Sequence, residues 1–253
     1  MKGGRKEMKF PLLTIIIAGI AVALTVPAMK EKKEAEVEAN AITAVMAEAK
    51  AEPTEAPEET SEVSETTDTV VEETEEVFVP DYDFESLKSE NPDICAWIEI
   101  PGTEVNYPVM YDGTDAYLHK SLQGEDSTAG SIYVDPSSCG LNNAVNIIYG
   151  HNMRNGSMFA AVNKFNTAAY FESHRQVKIS MEDRNLELTP FLSVTGPADG
   201  TVRQINSADG LKNFCSTKQI TNGTCEYTGN LYVLITCNYS GNNYRTYLFC
   251  QAE

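Results

Sequence analysis

The chain is short of basic residues and of histidine, and each shortage narrows the possible functions. Its 253 residues include 19 Lys and Arg against 37 Asp and Glu, which gives a formal net charge of −18. This acidic balance argues against nucleic acid as a partner. With three His in the sequence, any histidine acid or base must be one of them. None of the six cysteines forms a CxxC pair, so the usual zinc spacing is missing, and we expect neither a metal nor a cofactor.

The amino-terminal region begins with a basic segment and an apolar run. Residues 1–9 carry the positive charge, and residues 10–29 contain no charged side chain over a length that can span a bilayer as a helix. The basic flank predicts a cytoplasmic tail, a single-pass membrane anchor and a folded part outside the cell. A cleaved secretory signal is the alternative, because Val26-Pro27-Ala28 resembles a small-residue cleavage site.

The next segment, residues 30–80, differs sharply in composition from residues 81–253. It carries fifteen Glu and one Asp against four Lys, and Phe78 is its one aromatic residue. Such a segment cannot bury enough apolar surface to offset the entropy of ordering. We therefore predict a disordered acidic stalk, in which residues 31–51 can form a transient helix. Residues 81–253 are long enough for one domain with a substantial core.

Short strand-like runs that end at turn residues dominate residues 81–253. The predicted strands are 96–100, 105–110, 131–134, 144–149, 176–181, 186–194, 231–237 and 244–249. Helices are predicted at 84–91, 157–163 and 208–215. Closely spaced short strands are typical of a barrel or a sandwich, so we expect a mostly β domain with peripheral helices.

Cys237 is the candidate nucleophile. It ends the apolar run 231–236, and the polar turn 238–243 separates it from a second run that contains Arg245. A thiol at a strand end beside a fixed cation is placed where a thiolate is stabilised and can be reached by substrate. The alternative is an inert cysteine at the end of a core strand, because free cysteine is among the most buried residue types.

A cysteine nucleophile also needs an acid or base partner. His119 and His174 lie in polar surroundings and are expected on the surface, whereas His151 directly follows the predicted strand 144–149. We therefore predict that His151 is the partner of Cys237. If Cys237 is a free nucleophile, five cysteines remain.

Among those five cysteines, one pair is the most favourable for a disulfide. Cys215 and Cys225 flank a short polar loop. The pairing of the cysteines stays open at this point.

Three motifs in the correct order resemble those of the sortase family of cysteine transpeptidases. They are Tyr149-Gly150-His151-Asn152-Met153, Leu234-Ile235-Thr236-Cys237 and Arg245. Val233 replaces the Thr that usually begins the cysteine motif. The resemblance is greatest to class B sortases, through Trp97-Ile98-Glu99-Ile100-Pro101-Gly102-Thr103, Asn106-Tyr107-Pro108-Val109, Tyr117-Leu118, Gly130-Ser131-Ile132-Tyr133-Val134-Asp135 and the long segment 200–229.

The resemblance implies a closed eight-stranded sortase-type β-barrel with a short amino-terminal helix and peripheral connecting helices. Cys237 would attack the Thr carbonyl of a C-terminal sorting signal in a secreted protein, and a peptidoglycan amine would resolve the thioacyl intermediate. His151 would act as acid and base. Arg245 would hold the substrate backbone or the oxyanion.

The resemblance also implies a substrate-lining role for Leu118, Thr236 and Asn238; the last of these replaces an acidic residue sometimes found after the cysteine. Three alternatives stay open: a pilin Lys as acceptor, a papain-like peptidase, and a non-enzymatic wall-associated binding domain. A papain-like peptidase is disfavoured because it places its Cys on a helix and before its His.

Overall fold

The computed structural model describes residues 33, 40–47, 49 and 78–252. Nine strands form one sheet: β1 Ile94–Glu99, β2 Asn106–Met110, β3 Ile132–Val134, β4 Val145–Tyr149, β5 Val177–Ser180, β6 Asn185–Pro197, β7 Gln219–Gly223, β8 Leu231–Asn238 and β9 Tyr244–Ala252. The described helices are α1 (40–47), α2 Phe84–Glu90, α3 Ala160–Lys164, α4 Ala168–Ser173 and α5 Ala208–Ser216, with 3₁₀ turns at Ala116–Leu118, Pro136–Leu141 and Thr201–Gln204.

Eight of the nine strands close into a barrel. They follow the order β5-β1-β2-β3-β4-β8-β9-β6, and β6 completes the circuit by pairing with β5. The pairs β2–β3 and β4–β8 are parallel, and the other pairs in the circuit are antiparallel. This arrangement confirms the eight-stranded β-barrel that the resemblance implied.

β6 is the longest of the described strands. It also pairs with β7, the strand that lies outside the barrel circuit. Its first residues pair with β5, whereas its later part, from Leu192 to Thr195, pairs with β7. The register against β9 shifts between Pro190 and Leu192, which is a bulge. Proline is tolerated at such irregularities because it has no N–H to donate to the ladder. β7 was not predicted, because its sequence is largely polar.

Two hydrophobic clusters lie on opposite faces of the strands that carry the candidate site. Along β8, Tyr232 and Leu234 belong to the main core inside the barrel, whereas Val233 and Ile235 belong to an outer cluster covered by α5. Alternate residues of a strand point to opposite faces, so β8 is buried on both. This explains its nearly continuous apolar sequence.

Residues 40–47 and 49 differ from the predicted stalk. They include helix α1, and Ile42, Val45 and Ala49 are buried in the main core cluster. The Ala49 carbonyl accepts a hydrogen bond from the Asp83 backbone N–H at 2.9 Å. Apolar residues at this spacing share one face of a helix. This buried face was not predicted from the sequence, because the prediction relied on the acidic composition of residues 30–80 as a whole. The stalk prediction for residues 30–80 stays a prediction, since most of that segment lies outside the described residues.

The remaining predicted amino-terminal segments fall where the structure gives no description. The basic tail 1–9, the apolar run 10–29 and most of the acidic segment lie outside the described residues. Within the described part of the chain, no helix combines the length and apolar character needed to cross a membrane.

Candidate active site

Three neighbouring strands bring Cys237, Arg245 and His151 to one level of the barrel wall. Cys237 and Arg245 are direct partners in the antiparallel β8–β9 register. In the parallel β4–β8 pair Tyr149 lies opposite Ile235, so His151, two residues on, lies beside Cys237. Adjacent strands are about 4.8 Å apart, which places the three residues as close neighbours.

Hydrogen bonds extend the β4–β8 pairing up to the histidine. The Gly150 N–H donates to the Ile235 carbonyl at 3.1 Å, and the Thr236 hydroxyl donates to the Gly150 carbonyl at 2.8 Å. A Cβ at Gly150 would lie 2.4 Å from Ile132 and 2.7 Å from Phe159. Glycine is therefore required before the histidine, because the backbone passes too close to its neighbours for any side chain.

His151 is half-buried, and one ring nitrogen is held by the backbone. Its Nε2 lies 2.9 Å from the Leu118 carbonyl oxygen. A carbonyl oxygen only accepts hydrogen bonds, so this contact requires a proton on Nε2. In the neutral ring the lone pair then resides on Nδ1, which becomes the nitrogen available for proton transfer.

The surroundings of His151 favour its neutral form. Burial lowers the pKa of the imidazole, and the nearby His119 and Arg245 lower it further. The hydrogen bond to the Leu118 carbonyl opposes these effects, but the net pKa lies below its ordinary value. The neutral ring can accept a proton at neutral pH, as a general base must.

A reciprocal pair of hydrogen bonds joins the histidine loop to the cysteine strand. The Asn152 side-chain amide donates to the Cys237 carbonyl at 2.8 Å. The hydroxyl of Tyr239 donates to the Asn152 carbonyl at 2.7 Å. These contacts fix the backbone on both sides of the site, and sequence reasoning did not single out either Asn152 or Tyr239.

Arg245 is half-buried at the start of β9. One of its terminal nitrogens donates to the Tyr244 carbonyl at 3.1 Å. Among the residues that the structure describes, no acidic side chain forms an ion pair with Arg245. Burial raises the pKa of Tyr247 to about 12, and Arg245 partly opposes this rise from nearby. The guanidinium therefore keeps donors free for a substrate oxygen beside the thiol.

The two strand ends are fixed from inside the barrel by a buried polar cluster. Asn163 of α3 accepts from the Thr246 hydroxyl at 2.7 Å and from the Asn238 side-chain amide at 3.0 Å. Asn238 also donates to Thr246 at 2.9 Å. Asn238 and Thr246 directly follow Cys237 and Arg245 in the chain, so this cluster sets the position of both site residues.

The predicted substrate-binding residues divide into two groups. Leu118 is half-buried beside the histidine, where its carbonyl holds the ring. Thr236 and Asn238 are 1% and 8% exposed, and their side chains bond to groups inside the protein. Their side chains do not face the site, because the pleat of β8 turns them to the opposite side from Cys237. In the structure these two side chains position the strand ends, and their substrate-lining role stays a prediction.

His119 is exposed, as predicted, but it is not remote from the site. Its ring centroid lies 6.2 Å from that of His151. The sequence contained one indication that His119 lies near the site, because His119 directly follows Leu118, which was predicted to line the substrate. The ring of His174 instead stacks on that of Tyr170, with 3.8 Å between the ring centroids. A packing role therefore explains this residue.

A closed β-barrel with cysteine, histidine and arginine on adjacent strand ends is the arrangement implied by the resemblance to sortases. No family model matches the chain. Two curated relatives do: Sortase B of Listeria monocytogenes is 37% identical over 90 residues, and Sortase B of Staphylococcus aureus is 32% identical over 110 residues. These alignments cover 35% and 43% of this chain, and they span less than half of each relative, 37% and 45%.

The solved structure of Clostridium perfringens sortase B gives a longer match. It superimposes with a TM-score of 0.59 at 27% identity, over 66% of this chain and 98% of that chain. In sequence and in fold the chain is similar to class B sortases.

Proposed function

We propose that this chain is a cysteine transpeptidase that cleaves a C-terminal sorting signal of secreted proteins and transfers the acyl group to a peptidoglycan amine. The observation that carries the proposal is the register, which pairs Cys237 with Arg245 across β8–β9 and brings His151 alongside from β4. Similarity to class B sortases supports the reaction type. The sorting signal and the peptidoglycan acceptor come from the family resemblance.

The first half of the reaction forms a thioester. The Cys237 sulfur attacks the carbonyl carbon of the scissile bond, and negative charge develops on its oxygen. Arg245 donates to that oxygen, because it lies directly opposite Cys237 in the β8–β9 register. His151 first takes the thiol proton of Cys237 on Nδ1 and then delivers it to the departing amine, so that the C–N bond breaks and the acyl-enzyme remains.

In the second half of the reaction the direction of proton transfer at His151 is reversed. An incoming primary amine attacks the thioester carbonyl, and His151 takes the proton that the amine must lose. Collapse of the intermediate breaks the C–S bond, forms the new amide and regenerates the Cys237 sulfur. The depressed pKa of His151 suits this step, since the ring is neutral before the amine arrives.

The proposal is tested by trapping the thioester. The full chain is incubated with a fluorogenic sorting-signal peptide, and the acylated protein is identified by intact mass and by release with hydroxylamine. Cys237→Ala should form no adduct, whereas Cys139→Ser, which alters an exposed cysteine, should react normally. Normal peptide cleavage by Cys237→Ala would overturn the assignment. A chain that binds wall material but forms no adduct would instead be a wall-associated binding domain.

A matched pair of histidine variants tests the acid–base assignment. His151→Ala should lower the cleavage rate by roughly 10²–10⁴-fold, the usual contribution of general acid–base catalysis. His174→Ala should leave it near normal, because that ring stacks on Tyr170 away from the site residues. A large loss in His174→Ala with a small one in His151→Ala would reverse the assignment.

We also propose that residues 10–29 anchor the chain in the cell membrane with the barrel on the outer side. The support is the basic segment before the apolar run. In a Cys237→Ala background, a membrane-impermeant maleimide should label the exposed Cys139 in intact cells. Cys139→Ser provides the control for background labelling. Labelling of Cys139 that appears only after lysis would place the barrel inside the cell.

A further inference from the structure

Two cysteines that the proposed reaction does not use both pack in the outer cluster. Cys215 is in the last turn of α5 and is 6% exposed, and Cys225 packs against the same cluster two residues after β7. Cys225 is close enough to the Cys215 thiol to raise its pKa. The backbone is fixed on both sides, because α5 packs on the cluster and β7 is paired with β6.

The other cysteines are placed differently. Cys250 lies in the main core inside the barrel. Cys95 donates to the Val109 carbonyl at 3.3 Å, and Cys139 is exposed on a 3₁₀ turn. Cys237 stands at the end of β8. Cys215 and Cys225 are therefore distinguished from the other cysteines by their shared cluster as well as by their spacing in the sequence.

We propose that Cys215 and Cys225 form a disulfide that fastens α5 to the segment leading into β8. The bond forms by exchange with a low-molecular-weight disulfide such as glutathione disulfide. The Cys225 thiolate attacks one glutathione sulfur, which releases one glutathione thiolate and leaves a mixed disulfide. Cys215 then attacks the Cys225 sulfur and the second glutathione thiolate departs. The two thiol protons end on the two glutathione molecules, and the protein pair is oxidised as glutathione disulfide is reduced.

The order of attack follows from exposure. Burial raises the pKa of the Cys215 thiol, and the neighbouring Cys225 raises it further. Cys225 is half-buried and is the more accessible of the two to an external disulfide. It therefore begins the exchange, whereas Cys215 needs only its adjacent partner sulfur to complete it.

The crosslink would hold the helix that covers the site strands. Phe214, next to Cys215, packs edge-on against Tyr247 at 5.0 Å and against Phe249 at 5.6 Å, both on β9. Closing a loop this short restricts the unfolded chain, and oxidation should raise the melting temperature by about 5–10 °C.

Peptide mapping provides the direct test. The full chain is equilibrated with glutathione disulfide, denatured and alkylated without reductant, and digested with trypsin and with a Glu-specific protease. Trypsin alone leaves Cys225 and Cys237 in one peptide, and cleavage after Glu226 separates them. The expected product joins residues 213–218 to residues 219–226. Alkylation of all six cysteines, or a link from Cys225 to Cys237, would overturn the proposal.

Thermal melting in oxidised and reduced buffer provides the second test. Wild type and Cys139→Ser should both melt higher when oxidised. In Cys215→Ser and Cys225→Ser this redox difference should vanish, whatever the absolute stability of each variant. A wild-type melting temperature that is unchanged by oxidation would contradict the proposed pairing.

Discussion

Gly130→Ala is predicted to damage catalysis through a single carbonyl group. Gly130 has φ +57, a left-handed conformation, and a Cβ built there would lie 2.4 Å from the Leu118 carbonyl oxygen. That oxygen accepts the hydrogen bond from His151 Nε2 at 2.9 Å. The methyl group and the oxygen must separate by at least about 0.6 Å to reach the 3.0 Å below which real Cβ contacts essentially never fall.

The expected magnitude has two parts. Forcing alanine into the left-handed region costs about 1–2 kcal/mol of stability. Displacing the Leu118 carbonyl removes the hydrogen bond that orients His151, and a buried bond of this kind is worth about 1–3 kcal/mol. If that orientation is lost in the transition state, kcat/KM should fall by roughly 10–100-fold.

Gly124→Ala separates these two effects. Gly124 has φ +77, yet no atom lies within 4 Å of a Cβ built there. This control variant therefore suffers the backbone strain without the steric contact. Urea unfolding measures the stability of both variants, and peptide cleavage measures kcat/KM. Equal kcat/KM for the two variants would refute the view that the Leu118 carbonyl positions His151.

Three further predictions concern the cation, the second imidazole and the outer cluster. Arg245→Lys should be nearly as inactive as Arg245→Ala, with losses of about 10²–10³-fold, because an ammonium cannot reproduce the guanidinium fork; near-normal turnover would show that positive charge alone suffices. His119→Gln should raise the pKa of His151, measured by NMR titration of the imidazole, since one of the groups that lower this pKa is removed; an unchanged or lower value would refute the coupling. Phe214→Ala should lower the free energy of unfolding by about 3–5 kcal/mol, because a buried ring between Tyr247 and Phe249 is lost; a urea midpoint like that of wild type would contradict this packing.

The amino-acid sequence alone located the strand ends that carry Cys237 and Arg245. This was possible because the two residues lie on consecutive antiparallel strands joined by a short polar turn, so that local pairing brings them together. It also identified His151 as the histidine at a strand end. Its position beside Cys237, however, depends on the parallel pairing of β4 with β8, two strands far apart in the chain.

The sequence did not determine which residues around Cys237 face the site. Because β8 is buried on both faces, its sequence lacks the alternation that would have separated the two faces beside Cys237. The same limit applies to β7, which is polar and forms a strand because β6 offers it a pairing edge.

Tertiary packing also determined the burial of α1 and the position of the His119 ring. The acidic composition of residues 30–80 predicted a solvated segment, yet Ile42, Val45 and Ala49 are buried in the main core cluster. The local sequence correctly predicted that His119 lies on the surface, but only the fold placed its ring near His151. Composition and periodicity report the local preferences of the chain. Contacts between distant segments depend on which surfaces the closed barrel presents to them, and those surfaces exist only once the barrel has formed.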